Sequence, residues 1–104
     1  MINATIVRNS SGNVIGFTVK NHGKSIACAA VSMLVLNTVN SIELLTEDKF
    51  LCDYKKKGGY LKFTLSDSVK RSEGTDALLD ALVLGLKTAK IEHPTEIKIT
   101  ERRL

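Results

Sequence analysis

Over residues 2–9 hydrophobic and polar positions alternate, with Ile2, Ala4 and Ile6 interleaved with Asn3, Thr5 and Val7. That period of two predicts a strand. Ser10-Ser11-Gly12-Asn13 is a turn cluster, and residues 14–20 resume the alternation with Ile15, Phe17 and Val19 on one face, so the two strands are expected to pair as a hairpin. Gly16 inside the second strand marks a bulge or a close backbone approach. The period then lengthens. A helix is predicted over 26–45, with Ser25 placed to cap it. Its first three turns are apolar nearly all round, which predicts burial on most sides, tapering through Asn37, Thr38, Asn40, Ser41 and Glu43.

A second hairpin is predicted over 49–55 and 60–66, turning at Lys57-Gly58-Gly59, where glycine supplies the positive φ of a tight turn. A second helix is predicted over 75–91, with Thr75 as its cap. Its stripe is Leu78, Leu82, Leu86 and Ala89, widened by Leu79, Val83 and Leu84. Gly85 within it suggests close approach to another backbone, and His93-Pro94 ends the helix. A last strand over 95–101 turns Ile97 and Ile99 inward, ahead of a charged tail, Glu101 to Leu104. The order ββαββαβ predicts an α+β fold: a two-layer sandwich in which a mostly antiparallel sheet is covered by two helices. The pattern does not fix the order of strands in that sheet.

With 104 residues, 43% hydrophobic and 25% charged, the chain reads as one globular domain over residues 1–104 rather than a disordered or collagen-like polymer. Fifteen basic and 11 acidic residues give a net charge of +4. Lys55, Lys56 and Lys57 supply three of those positives at one hairpin tip, which leaves direct RNA contact open beside a plainly solvated turn. The two cysteines make no disulfide framework. Met1 to Thr5 carries no signal-peptide pattern, and the apolar run Ile26–Leu36 is too short to span a bilayer. These features predict a soluble protein of a reducing cytoplasm with no membrane partner. Cys52, alternating with Phe50 and Tyr54, is expected in the core. Nothing in the sequence has the spacing of a zinc site, P-loop or dinucleotide fingerprint, so no metal or cofactor is expected.

One segment carries the materials of chemistry: Asn21-His22-Gly23-Lys24-Ser25-Ile26-Ala27-Cys28-Ala29-Ala30-Val31-Ser32. If Ser25 caps the helix, Cys28 stands at its third position, where the positive end of the helix dipole favours thiolate over thiol. Free N–H groups of that turn can receive an oxyanion, and the five-residue connection can return the His22 imidazole over the helix start. Spacing alone leaves two readings: a Cys28–His22 nucleophile and base, or a packed cysteine beside a solvated histidine. Ser32, one turn after Cys28 on the same face, either supports the site or bonds back to the helix backbone. His93, at a helix end, suits capping rather than chemistry.

Cys28-Ala29-Ala30-Val31-Ser32, preceded closely by His22, resembles the ribosomal-processing cysteine protease family, Prp. The likeness extends in element order over most of the chain. It implies a cysteine endopeptidase that needs no cofactor and removes an N-terminal extension from a large-subunit ribosomal protein during ribosome assembly. It implies His22 and Cys28 as the catalytic pair, Ser32, Ser25 and Asn21 as supporting or substrate-binding residues, and a homodimer. Two positions depart from the family pattern: Asn21 stands where many members have glycine, and Ser25 where many have an acidic residue. The rival reading is a non-enzymatic ribosome- or RNA-associated binding module.

Overall fold

The computed structural model describes every residue except 22, 24 and 56–58, so the tip of the second hairpin, with Lys56, Lys57 and Gly58, lies outside the described residues. The elements run β1 (Ile2–Arg8), β2 (Val14–Lys20), α1 (Ile26–Leu45), β3 (Phe50–Lys55), β4 (Tyr60–Leu65), α2 (Glu73–Glu92) and β5 (Ile97–Arg103). One sheet holds all five strands in the order β3-β4-β2-β1-β5. Three neighbouring pairs are antiparallel, and β1 with β5 is parallel, so the predicted two-layer architecture stands with a mixed sheet.

The core lies between the sheet and the helices. Ile2, Ala4 and Ile6 of β1, Phe17 and Val19 of β2, and Leu61, Phe63 and Leu65 of β4 all face it and are buried. Phe63 stacks on Phe17 with centroids 5.1 Å apart and meets Phe50 at 4.9 Å. Gly16 fulfils both halves of its expectation. The β1–β2 register shifts beside it, between Val7 and Arg8. A Cβ at Gly16 would stand 2.9 Å from the Phe63 carbonyl oxygen, so only glycine lets β4 approach this closely.

Several expectations need correction. α1 is not buried on most sides. Its buried residues form one stripe, Ala27, Cys28, Val31, Val35, Thr38, Val39 and Ile42, which runs on through the predicted taper, whereas Ile26, Met33 and Leu36 face solvent. A two-layer fold gives a helix one sheet-facing side and no layer behind it. At 20 residues α1 is also long and apolar enough to cross a membrane by length and composition, which the Ile26–Leu36 run alone had not suggested. Cys52 is exposed, as is Tyr54. β3 is an edge strand, and alternation there assigns a side of the sheet without assigning cover. Leu84 is exposed on α2. Gly85 admits a side chain rather than a backbone: an added Cβ would lie 2.7 Å from Leu34 Cδ2 of α1. The charged tail continues β5 as far as Arg103, paired with Arg8.

The cap of α2 is Ser72 rather than Thr75. Ser72 Oγ accepts the Thr75 N–H at 3.2 Å, and Glu73 and Asp76 fill the first turn, where negative charge suits the dipole. Thr75 is fully buried beneath the cap. The Asp48 carboxylate accepts both the Ser72 N–H at 2.8 Å and the Ser72 hydroxyl at 2.9 Å, tying the α1–β3 connection to the start of α2. The Ser72 backbone bond, with help from the Thr75 and Ser72 side chains, outweighs desolvation and holds this carboxyl below its ordinary value. A depressed carboxyl stabilises the fold above the unfolded aspartate value near pH ~3.9 and loses that contribution as pH falls through the folded value. Asp48→Ala is therefore expected to destabilise by about 1–2 kcal/mol at neutral pH, since the partly solvated carboxylate keeps some water. In urea unfolding the gap between variant and wild type should close in acid; a gap independent of pH would contradict this account.

Candidate active site

After β2 the chain must turn sharply to enter α1, and Asn21 makes that turn at φ 65°. This is left-handed backbone, which glycine adopts freely and asparagine tolerates better than most residues. The departure from the family's glycine at this position is thus conformationally conservative. Ser25 then takes extended backbone (φ −74°, ψ 169°) and caps α1 as predicted: its hydroxyl accepts the Cys28 N–H at 3.1 Å, and its carbonyl accepts the Ala29 N–H at 3.0 Å. Cys28 accordingly occupies the third helical position.

The Cys28 side chain is buried at 7% exposure, and Gly23 donates its N–H to Sγ at 2.9 Å. Burial is the largest single influence on this thiol and pushes its pKa up. The Ser25 side chain, the Gly23 N–H and the Ser25 backbone together push the other way and prevail, so the thiol titrates below its ordinary value despite the opposing charge of Glu96. The Cys28 N–H itself is engaged by the cap, so the first turn offers fewer free donors than the sequence suggested.

Cys28 opens onto a cleft of about 220 Å³ lined by Met1, Ile2, Asn21, Ser25, Thr95 and Glu96. Of the five residues singled out from sequence, the structure brings Cys28, Ser25 and Asn21 together here. Ser32 lies half-buried one turn further along α1. His22 lies outside the described residues; of its neighbours in the chain, Asn21 lines the cleft and Gly23 donates its N–H to the sulfur. The wall formed by Thr95 and Glu96 escaped sequence reasoning. It exists because β1 and β5 pair, with the Ile2 N–H donating to the Glu96 carbonyl at 2.8 Å, and strand order left no trace in the periodicity. Glu96 Oε2 also lies 3.3 Å from His93 Nδ1, at the end of α2. Among the described residues no group of three or more His, Cys, Asp or Glu is placed to hold a metal ion.

The second thiol supplies an internal reference. Desolvation and the neighbouring Asp53 push Cys52 up. Iodoacetamide should therefore modify Cys28 with a pH midpoint below that of Cys52, even though Cys52 is the more exposed of the two. Glu96→Gln should lower the Cys28 midpoint further. Mass-resolved alkylation against pH reads both sites at once; a Cys28 midpoint at or above that of Cys52 would refute the electrostatic account.

Comparison with known proteins gives a consistent result. A family model described as cysteine protease Prp matches residues 1–98. The ribosomal processing cysteine protease Prp of Bacillus subtilis (strain 168) is 25% identical over 108 residues, covering 96% of each chain. A Streptococcus mutans protein of known structure is 28% identical and superposes with a TM-score of 0.91 over 100% of this chain and 96% of its own. The S. aureus ribosomal processing protease Prp, solved with a covalently linked product peptide, has the same fold at a TM-score of 0.90 and 24% identity, over 98% of this chain and 100% of that one.

Proposed function

Since this chain belongs to the cysteine protease Prp family, and is a cysteine protease of ribosomal processing on that account, we propose that it removes an N-terminal extension from a large-subunit ribosomal protein by acyl transfer through Cys28 and His22. Membership sets aside the non-enzymatic binding module. The observation that carries the finer reading is the Cys28 thiol: third in a capped helix, facing a cleft, and held below its ordinary pKa by Ser25 and Gly23.

The Cys28 thiolate attacks the scissile carbonyl carbon, forming a C–S bond and placing negative charge on the carbonyl oxygen. Backbone N–H groups beside the sulfur, that of Gly23 foremost, receive this oxyanion. His22 as imidazolium gives its proton to the departing amine, and the C–N bond breaks to leave a thioester. Neutral His22 then takes a proton from water, whose oxygen attacks the thioester and releases the new carboxylate with regeneration of the thiolate. Asn21 and Ser25 hold the two ends of the loop carrying His22, and Ser32 supports the helix beneath the nucleophile. The enzyme works in the cytoplasm as a homodimer; the apolar side chains Met33, Leu44, Leu45 and Ile91, exposed on the helices, offer surface for a second copy.

The test is incubation with the large-subunit ribosomal protein carrying its extension, read by mass spectrometry. A single cut that frees the extension supports the reading. A substrate left whole, or cut only after Cys52 and not Cys28 is left unblocked, overturns it.

A further inference from the structure

The sheet has a second face, away from the helices. Residues paired directly across neighbouring strands point to the same side, so the register assigns its members. One row across the sheet reads Asp53, Lys62, Thr18, Thr5, Thr100. A flanking row carries Leu51, Thr64, Gly16, Val7 and Arg102, and on the opposite flank lie Lys55 with Tyr60, and Lys20 with Asn3 and Lys98. Lys20, Lys55, Lys62, Lys98 and Arg102 are all exposed. Among the described residues, these five basic side chains and one acidic one, Asp53, lie on this face. Five positive charges less one negative give this face a net charge of +4, equal to that of the whole chain.

We infer that this face docks on the sugar-phosphate backbone of double-stranded RNA, independently of sequence. Charge complementarity argues for a polyanion and against a second copy of the same face, which it would repel. Single-stranded RNA is held by stacking its bases on aromatic side chains. The only aromatic residue described on this face is Tyr60, half-buried with Lys55 Nζ 5.8 Å from its ring centroid. Threonine hydroxyls instead alternate with the cations, at Thr5, Thr18, Thr64 and Thr100. That chemistry matches the wide, shallow minor groove of A-form RNA, where 2′-hydroxyls lie between phosphates. The surface is separate from the Cys28 cleft, and the inference does not depend on the proposed substrate.

The experiment measures binding of the full chain to a short mixed-sequence RNA duplex, by anisotropy across a salt series. The expected result is binding at low salt with a log–log slope of about −3 to −5. Lys62→Gln, Lys98→Gln and Arg102→Gln combined should weaken binding tenfold or more and reduce the slope by about three. Lys87→Gln, on α2, should change neither, and the triple variant should retain wild-type peptide cleavage and thermal unfolding. Tighter binding to the single strand, equal retention on phosphatidylserine vesicles, or duplex binding unmoved by the triple variant would each overturn the inference. Loss of peptide cleavage by the wild type would count against the proposed function alone.

Discussion

Cys28→Ala should lower kcat/KM for the extended ribosomal protein by on the order of 10³- to 10⁶-fold, the range seen when a covalent nucleophile is deleted. The substitution removes a small side chain from the end of the core, so folding should be little changed and thermal unfolding will establish that. Cys28→Ser is expected to be nearly as inactive, because a hydroxyl held by the same Ser25 and Gly23 bonds remains protonated at neutral pH. Cys52→Ala should be silent, its thiol being exposed on an edge strand and its pKa pushed up rather than down. Cleavage that survives loss of Cys28 would end the thiol mechanism for this chain.

His22→Ala should cost about 10²- to 10⁴-fold in kcat/KM, the usual worth of a positioned acid–base. The leaving amine is a poor leaving group without a proton, so the loss should fall on kcat more than on KM. The pH profile discriminates further. Wild-type kcat/KM is expected to fall in acid as the thiolate protonates, and in alkali as the imidazolium deprotonates. The lowered thiol pKa carries the acidic limb below where an ordinary cysteine would put it. In His22→Ala the alkaline limb should disappear. A variant that keeps both limbs, or the full rate, would take the imidazole out of the reaction.

Much of this molecule was legible in its residues. The Ser25 cap and the α1 bounds were read as they stand, because hydroxyl capping and the change from period two to period 3.6 are local signals. Gly16 was legible because its meaning, absence of a Cβ, is steric and local. Ser72 was passed over for Thr75 since both have capping hydroxyls, and the deciding group, the Asp48 carboxylate, lies 24 positions away in the chain. Cys52 misled for a related reason. Alternation tells which side a residue takes, while burial depends on whether another layer covers that side. The left-handed turn at Asn21 and the Glu96 wall belong to the same class: both follow from how distant segments meet. The thiol itself was legible in the sequence, but the Gly23 donor that helps to lower its pKa was not.

The cleft beside Cys28 is walled by the first strand on one side and the approach to the last strand on the other, zipped by the Ile2–Glu96 bond. Its two walls thus come from segments far apart in the chain. Without the β1–β5 pairing the nucleophile and its helix would face a cleft with only one of its walls. The cleft is therefore complete only where β5 has paired with β1, and whatever frees that strand dismantles one wall of the site with it.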